Sequence, residues 1–378
     1  MTGVAAAVMT GPGAVELREF PRPEPEPGAV VLDMRLSGIC GTDKHTFRGE
    51  TLQYAGTPHE RQIGYPLICG HENVGVIAAI GGADAVPDGA GRPLRVGDRV
   101  VPAANVTCGR CWYCLTGQPY YLCERMEDYG NSLGCADPPH LFGGWAEQMY
   151  LLPGTALHRV PDAVPDELAV LTEPLAVTHG IDTARRLRRP SFGESVVVVG
   201  VGPLGLCHLI KARLVGCGRL IAIDLLPSRL ALAEDLGATL ALRADELEAG
   251  QLAERVRAHT DGRGADLVID ASGVPETFPT CLRLVRTGGV LVEAGAFVDL
   301  GPVGVNPAAD ICTRNVTVLG IGGELLSDYG PALELLARSH DRLPVDRIVS
   351  HRLPLSRAGE AVELAQRDGA MKVVLGGR

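Results

Sequence analysis

The spacing of apolar residues changes about halfway along the chain. Up to about residue 160, short Val-rich runs alternate with turn residues, as in "GAVVLDMRLSG", "NVGVIAAIGG" and "VGDRVVPAAN". This pattern predicts an all-β module. From about residue 175, strand-like runs such as "SVVVVG", "RLIAID" and "ADLVIDASG" each precede a helical segment. Such alternation predicts a parallel sheet covered by helices. After about residue 325 the chain returns to short mixed elements and ends in the strand-like "MKVVLGG".

Length and charge narrow the classes of protein that fit this pattern. The 378 residues exceed what one hydrophobic core usually organises, which favours two domains. The net charge of -10 argues against a general binder of nucleic-acid phosphates. We therefore expect a protein that handles small molecules, without a nucleic-acid partner.

The apolar stretches favour a cytoplasmic protein. The amino-terminal "MTGVAAAVMTGPG" lacks a basic leader, so we expect a first strand and turn there rather than a signal peptide. The longest apolar stretch, around Val196 to Leu209, is broken by glycines and is too short to span a bilayer. We expect no membrane partner. In the reducing cytoplasm, clustered cysteines are more often metal ligands than disulfides.

A glycine motif in the second half predicts a dinucleotide site. "VVVVGVGPLG" places G-x-G-x-x-G between a buried strand and a helix, and Asp224 ends the next strand. The glycines let the backbone approach a pyrophosphate at the helix N-terminus. Asp224 would bind ribose hydroxyls and repel a 2′-phosphate, which favours NAD, while Arg229 keeps NADP possible. A tight strand-to-helix turn without ligand is the alternative. The candidate residues are Gly200, Gly202, Pro203, Leu204, Gly205, Asp224 and Arg229.

Four cysteines lie close together in the first half. Cys108, Cys111, Cys114 and Cys123 have the spacing C-x2-C-x2-C-x8-C, which allows four thiolates to surround one tetrahedral zinc ion. Four protein ligands leave no coordination position open, so this zinc would be structural. Free buried cysteines or a disulfide pair are the alternatives.

Six short motifs occur in an order that is similar to a known family. They are G-I-C-G-T-D, G-H-E, G-D-R-V at 97–100, the four cysteines, "TEPLAV" at 172–177 and G-x-G-P-L-G. The chain resembles the zinc-dependent medium-chain alcohol and polyol dehydrogenases, most closely the branch of sorbitol, threonine and glucose dehydrogenases. The resemblance implies an α/β protein with two domains. A GroES-like β catalytic domain would comprise residues 1–174 and 325–378, with the structural zinc lobe near 108–123. A Rossmann domain with a doubly wound parallel sheet would bind NAD within 175–324.

The resemblance also implies a catalytic zinc site. Cys40 and His71 match its ligands, and either Glu72 or Glu173 would complete the set. A zinc ion with three protein ligands keeps a place for an alcohol oxygen. The sequence leaves open which glutamate binds.

Three residues near Cys40 match the family's catalytic residues. Asp43 matches a carboxylate that accepts a hydrogen bond from the outer nitrogen of His71, and a loop-capping Asp is the alternative. Thr42 and His45 match a proton relay to solvent, and an exposed surface histidine is the alternative for His45.

The implied activity is hydride transfer between a primary or secondary alcohol and NAD. The substrate would be a polyol, a sugar or a small polar or anionic alcohol. The charged stretch 48–66 is expected to shape the pocket, which favours a polar or anionic substrate, and a solvated charged loop is the alternative. We expect two zinc ions per chain and a homodimer or homotetramer. The alternatives are a zinc-free superfamily reductase of enoyl or quinone substrates and a non-catalytic zinc protein that binds NAD. The first of these would lack Cys40, His71 and the cysteine lobe.

Overall fold

The chain forms two compact units. The computed structural model describes residues 3–188, 193–339 and 342–377. The first unit comprises Met1–Ala176, Leu325–Asp341 and Val349–Arg378. The second comprises Val177–Glu324 and Arg342–Ile348. In sequence, the second unit is therefore inserted into the first.

Short strands dominate the first 160 residues, whereas strands and helices alternate through most of the second unit. The first strands are β1 (Val4–Gly11), β2 (Ala14–Phe20), β3 (Val30–Gly38), β4 (Leu52–Gln53), β5 (Arg61–Gln62), β6 (Glu72–Ile80), β7 (Val86–Pro87), β8 (Pro93–Leu94), β9 (Arg99–Pro102), β10 (Asn105–Val106) and β11 (Glu127–Asp128). The later strands are β12 (Gln148–Leu151), β13 (Leu157–Arg159), β14 (Ser195–Val199), β15 (Arg219–Asp224), β16 (Leu240–Arg243), β17 (Ala265–Asp270), β18 (Val285–Glu293), β19 (Thr317–Gly320), β20 (Val349–Leu353) and β21 (Lys372–Leu375). The helices are α1 (Gly41–Arg48), α2 (Trp112–Leu115), α3 (Asp166–Ala169), α4 (Thr172–Ala176), α5 (His179–Leu187), α6 (Pro203–Leu214), α7 (Pro227–Asp235), α8 (Ala249–His259), α9 (Thr277–Leu284), α10 (Leu326–Ser339) and α11 (Ala358–Leu364).

The first unit is built on a mainly antiparallel sheet, as its short Val-rich runs predict. Its strands lie in the order β13-β9-β6-β3-β21-β20, and β12 also pairs with β3. The register sets Gly38 of β3 opposite Glu72 of β6, and Val374 of β21 pairs with the same glycine. The segments that follow β3, precede β6 and begin β21 therefore meet at one end of this sheet.

The second unit contains the predicted parallel sheet. Its six strands lie in the order β16-β15-β14-β17-β18-β19, which is the doubly wound order with the first strand, β14, at the centre. Every residue of β14 is buried, as expected for a β-branched strand covered by helices on both faces. Both the fold class and the strand–helix alternation predicted from the sequence are confirmed.

A membrane-spanning helix would need a long apolar run. Within residues 3–188, 193–339 and 342–377, no helix meets that requirement in both length and composition.

Candidate functional site

Cys40 and His71 meet at the end of the first unit's sheet. Cys40 follows β3 and immediately precedes α1, whereas His71 immediately precedes β6, and the β3–β6 register brings the two segments together. Their side chains are close enough for Cys40 to be the strongest influence that raises the pKa of His71. His71 is buried, and its Nδ1 atom has no hydrogen-bond partner among the described residues. Two residues more than thirty positions apart in the sequence thus form one side-chain cluster.

Negative charge surrounds the imidazole of His71. Burial alone would lower the pKa of this group, but Cys40, followed by Asp43 and Glu173, raises the pKa well above its ordinary value. Buried acceptor groups that draw a proton onto a histidine are equally suited to a divalent cation. A thiolate, an imidazole and a carboxylate form a donor set that zinc binds, but in the described part of the chain no set of donor atoms from Cys40, His71 and a carboxylate lies within 4.8 Å of one another.

The two candidate glutamates have different surroundings. Glu72 is buried, and Lys372 Nζ lies 2.5 Å from both of its carboxylate oxygens. Glu173, on α4, is also buried and acts electrostatically on both His71 and Lys372. The carboxylate of Glu72 is therefore already neutralised by a cation, and a bound metal ion would have to compete with that cation.

Lys372 is a residue that the sequence analysis missed. Its side chain is buried, and Nζ also donates to the carbonyl of Ile39 at 3.2 Å, next to Cys40. Burial lowers the pKa of an amine, but Glu72 and then Cys40 raise that of Lys372 above its usual value. The local sequence "MKVVLGG" does not indicate that this lysine is buried, because burial of a charge depends on a partner that is distant in sequence.

The carboxylate of Asp43 contacts backbone rather than the imidazole. It accepts hydrogen bonds from the N–H of Cys40 at 2.7 Å and the N–H of Gly70 at 3.4 Å. We expected it to accept from His71. Asp43 is completely buried, and this burial raises its pKa. In the structure this carboxylate ties together the two segments that carry Cys40 and His71.

Thr42 and His45 lie on α1 beside this cluster. Thr42 is buried, and its carbonyl accepts from the hydroxyl of Thr46. His45 Nδ1 lies 2.5 Å from Glu50 Oε2 and 2.9 Å from Arg48 Nη2. None of its described hydrogen bonds is with Thr42. Burial lowers the pKa of His45, which favours a neutral imidazole at pH 7.

The charged stretch 48–66 pairs its charges internally and with a neighbouring strand. Arg48 lies 2.7 Å from Glu50, and Arg61 lies 2.8 Å from Asp128 and 3.6 Å from Glu127. Arg61 also lies over the ring of Tyr54. These arginines thus have anionic partners within the first unit.

The four cysteines of the lobe converge on one point. One donor atom from each of Cys108, Cys111, Cys114 and Cys123 lies within 4.8 Å of the others. All four are free, and Cys111 Sγ lies 3.5 Å from Cys114 Sγ and 4.0 Å from Cys123 Sγ. Backbone N–H groups, first that of Cys114, lower the pKa of Cys111 to about 6, whereas burial raises that of Cys123 to about 12. The arrangement fits a closed site for four thiolates around one zinc ion.

The glycine motif of the second unit has the expected local geometry. Gly200 follows β14 with φ at 80°, in the left-handed region that favours glycine, and a Cβ there would lie 2.6 Å from Ser272 Cα. Gly202 caps α6, whose first residues are Pro203 and Leu204, and a Cβ on Gly205 would collide with the Gly200 carbonyl. The backbone can therefore approach a ligand closely at the start of α6.

Asp224 ends β15 beside this motif. Its Oδ2 accepts from the N–H of Val201 and its Oδ1 from that of Leu226, both at 2.9 Å. Arg229 Nη1 lies 3.7 Å from Asp224 Oδ2. The structure thus brings the candidate cofactor-binding residues together at the carboxyl end of the central strands.

Comparison with known proteins gives matches across both units. The family model described as alcohol dehydrogenase GroES-like domain matches residues 26–162, and that described as zinc-binding dehydrogenase matches residues 203–338. The chain is 32% identical over 372 residues to 5-exo-hydroxycamphor dehydrogenase of Pseudomonas putida, covering 98% of each chain. It is 30% identical over 374 residues to D-xylulose reductase A of Aspergillus oryzae, covering 98% of this chain and 96% of that one. An alcohol dehydrogenase structure from Thermotoga maritima superposes with a TM-score of 0.89 at 29% identity, covering 100% of both chains.

Proposed function

The chain belongs to the zinc-dependent medium-chain alcohol and polyol dehydrogenase family, and from this premise we propose how its residues carry out the reaction. As a member it is an oxidoreductase that acts on CH–OH donors with a nicotinamide cofactor. We propose that Cys40, His71 and Glu173 hold the catalytic zinc. The observation that carries this proposal is the proximity of Cys40 and His71 inside a buried, negatively charged cluster.

Glu173 is the better candidate for the third ligand. Glu72 lies against the buried ammonium of Lys372 through both carboxylate oxygens, so binding zinc would require it to leave a desolvated cation unpaired. Breaking a buried ion pair costs several kcal/mol. Glu173, on α4, acts electrostatically on His71, and zinc binding there would leave the Glu72–Lys372 pair intact. We propose that Glu72 neutralises the positive charge of the buried Lys372.

The chain's own residues would manage the alcohol proton. A zinc ion bound there supplies Lewis-acid polarisation of the alcohol oxygen. Thr42 Oγ1 would accept the proton from the alcohol and pass it toward His45. In the tautomer that donates from Nδ1 to Glu50, Nε2 of His45 would take up the proton. The lowered pKa of His45 favours the neutral imidazole that such a relay needs.

Asp43 acts as a positioning residue in this proposal. By accepting from the backbone of Cys40 and Gly70, it fixes the distance between the two ligand-bearing segments. A fixed ligand geometry keeps the open coordination position in place for substrate.

We propose NAD as the preferred cofactor, with the cysteine lobe as a structural zinc site. The Asp224 carboxylate would accept hydrogen bonds from ribose hydroxyls and disfavour a 2′-phosphate, although Arg229 lies beside it. When bound there, NAD would supply the acceptor for the hydride that leaves the alcohol carbon. The lobe would bring the zinc content to two ions per chain. This closed set of four thiolates leaves no place for substrate.

We also propose a homo-oligomer in the cytoplasm. β19 is the last strand of the second unit's sheet, and Val318 on it is 40% exposed, which suits pairing with a second copy. All eleven cysteines are free, which fits a reducing compartment.

Metal analysis combined with an alcohol panel tests the proposed function. Purified protein should contain two zinc ions per chain and reduce NAD with a primary or secondary alcohol among polyols, sugars and small polar alcohols. Cys40→Ser should lose one zinc ion and activity, whereas Cys312→Ser, at an exposed cysteine outside both clusters, should lose neither. Turnover of an enoyl or quinone substrate by protein that contains no zinc would support the reductase alternative. One tightly held zinc ion without turnover of any alcohol would support the non-catalytic alternative.

A further inference from the structure

Glu293 occupies a position in the second unit that corresponds to that of Asp224. The sheet order divides its strands into two halves, β14 to β16 and β17 to β19, and in this topology each half binds one mononucleotide at the carboxyl ends of its strands. Asp224 ends the second strand of the first half. Glu293 ends β18, the second strand of the other half. Because the glycine motif and Asp224 serve the adenosine half, the end of β18 faces the side of the nicotinamide half.

The carboxylates at the two strand ends also share a local geometry. Asp224 accepts from the N–H of Leu226, two residues later. Glu293 Oε1 accepts from the N–H of Gly295 and of Ala296, both at 3.0 Å. Its Oε2 makes no hydrogen bond in the described part of the chain, and this atom is not among the buried polar atoms that lack a partner. One oxygen of Glu293 is therefore fixed by the turn, while the other remains accessible to a ligand.

The neighbouring carboxylate on β17 is not available in the same way. Asp270 lies opposite Glu293 in the β17–β18 register and is buried. Its oxygens accept from the N–H and the hydroxyl of Ser272, from the Thr277 hydroxyl and from the Cys281 thiol. Both oxygens of Asp270 thus accept hydrogen bonds from protein groups, and Asp270 acts electrostatically on Glu293.

This environment makes the charge of Glu293 sensitive to pH. Burial, and then the charge of Asp270, raise its pKa to about 7, although the two backbone N–H groups lower it. Cys281 on α9 also faces the pair, and its own pKa is raised well above the ordinary value by burial and by these carboxylates. The thiol therefore adds no charge near neutral pH, and Asp270 is the charged neighbour that matters.

We propose that Glu293 makes the choice between oxidised and reduced cofactor depend on pH. The nicotinamide ring carries a positive charge in NAD⁺ and none in NADH. An ionised Glu293 attracts the oxidised ring, whereas the protonated form does not. The ratio of NAD⁺ to NADH affinity then rises as pH increases through the titration of Glu293, and NAD⁺ binding expels a proton from it. The inference rests on the proposed use of NAD.

Cofactor binding measured across pH tests this role without requiring turnover. NADH affinity is measured by its fluorescence, and the affinities of NAD⁺ and ADP-ribose by competition, at several values between pH 6 and 8.5. In the wild type the NAD⁺ to NADH affinity ratio should increase on the order of tenfold over this range. The ratio of ADP-ribose to NADH affinity should show no such increase, because ADP-ribose lacks the nicotinamide ring.

Three variants separate the role of Glu293 from general effects of charge and folding. Glu293→Gln keeps an acceptor for the backbone N–H groups and should remove the pH dependence of the ratio. Glu293→Asp should keep a pH dependence, and Glu254→Gln, at an exposed position on α8, should behave as the wild type. Thermal unfolding establishes that each variant is folded. An unchanged pH dependence in Glu293→Gln overturns this inference while leaving the proposed function intact, whereas absence of all nicotinamide cofactor binding in the wild type overturns both.

Discussion

Lys372 on β21 and Glu72 on β6 form a buried ion pair in the first unit, and Lys372 Nζ lies 2.5 Å from each carboxylate oxygen of Glu72. The pair is possible because the facing residue is Gly38, where a Cβ would lie 2.0 Å from Glu72 Oε2. Both side chains are almost completely shielded from solvent. This pairing distinguishes the two glutamates that the sequence leaves equivalent as zinc ligands.

Removal of one partner should therefore be costly. Lys372→Met should lower the free energy of unfolding by about 3 kcal/mol, because it leaves a buried carboxylate without its cation. The double variant Lys372→Met/Glu72→Gln should recover much of that loss. Chemical denaturation of the wild type, the single variants Lys372→Met and Glu72→Gln, and the double variant measures the coupling energy between the two side chains. Equal destabilisation in the single and double variants would contradict a dominant role for the pair.

The two glutamates should differ in their effect on zinc. Glu173→Gln should reduce kcat/KM by at least about a hundredfold and speed the loss of the catalytic zinc to a chelator, because it removes a proposed ligand. Glu72→Gln should retain the metal. Zinc content after timed chelation is the measurement, with lobe zinc as the internal reference. Faster zinc loss from Glu72→Gln than from Glu173→Gln would reverse the assignment.

The cysteine lobe should stabilise the protein without contributing to chemistry. Cys111→Ser should lose one zinc ion and lower the free energy of unfolding by about 2 kcal/mol or more, because three remaining thiolates hold zinc less well. The catalytic zinc should stay. Metal content and thermal unfolding of this variant are compared with those of Cys312→Ser. A Cys111→Ser protein that keeps both zinc ions would rule out the proposed structural site.

Asp224 should govern the choice between NAD and NADP. Asp224→Ala removes the negative charge next to the expected 2′-phosphate and leaves Arg229 without its nearby carboxylate. The NADP to NAD ratio of kcat/KM should rise by at least about tenfold, as measured with one alcohol. Substitution of both residues, Asp224→Ala with Arg229→Ala, should abolish part of that gain. A variant ratio equal to that of the wild type would show that Asp224 does not contact the ribose.

His208 should make the protein less stable in mild acid. Burial lowers its pKa to about 4, whereas an unfolded histidine titrates near its ordinary value, about 6.5. Between these values the unfolded chain binds a proton that the folded chain does not, so stability decreases as pH falls through this window. The contribution of His208 can reach about 3 kcal/mol at the acid end. Denaturation at pH 7 and pH 4.5 should show a smaller loss in His208→Gln than in the wild type, with exposed His351→Gln as the control.

The glycine motif and the cysteine lobe are examples of local structure that can be predicted from short sequence spacing. Gly200, Gly202 and Gly205 serve a strand-to-helix turn whose geometry depends on residues only a few positions apart. The lobe spans Cys108 to Cys123, and a short turn-rich loop can bring such thiols together without help from distant elements. In both cases the spacing itself carries the geometry.

The cluster around Cys40 and His71 depends on residues that are far apart in the sequence. Motif resemblance selects Cys40 and His71, yet it leaves Glu72 and Glu173 open, gives no sign of Lys372 and suggests a different partner for Asp43. Those details follow from the register of β3 with β6 and β21, which sets residues hundreds of positions apart side by side. No local pattern records that register.

The order of strands and helices, the parallel sheet, the glycine-rich strand-to-helix turn and the four-cysteine lobe follow from the sequence, because each depends on periodicity or on short spacing. Which buried charges face one another depends on the tertiary structure. Lys372 meets Glu72, and Asp270 meets Glu293, through strand pairing. The physical reason is that burial makes a charge depend strongly on its nearest partner, and that partner is chosen by the fold rather than by proximity along the chain.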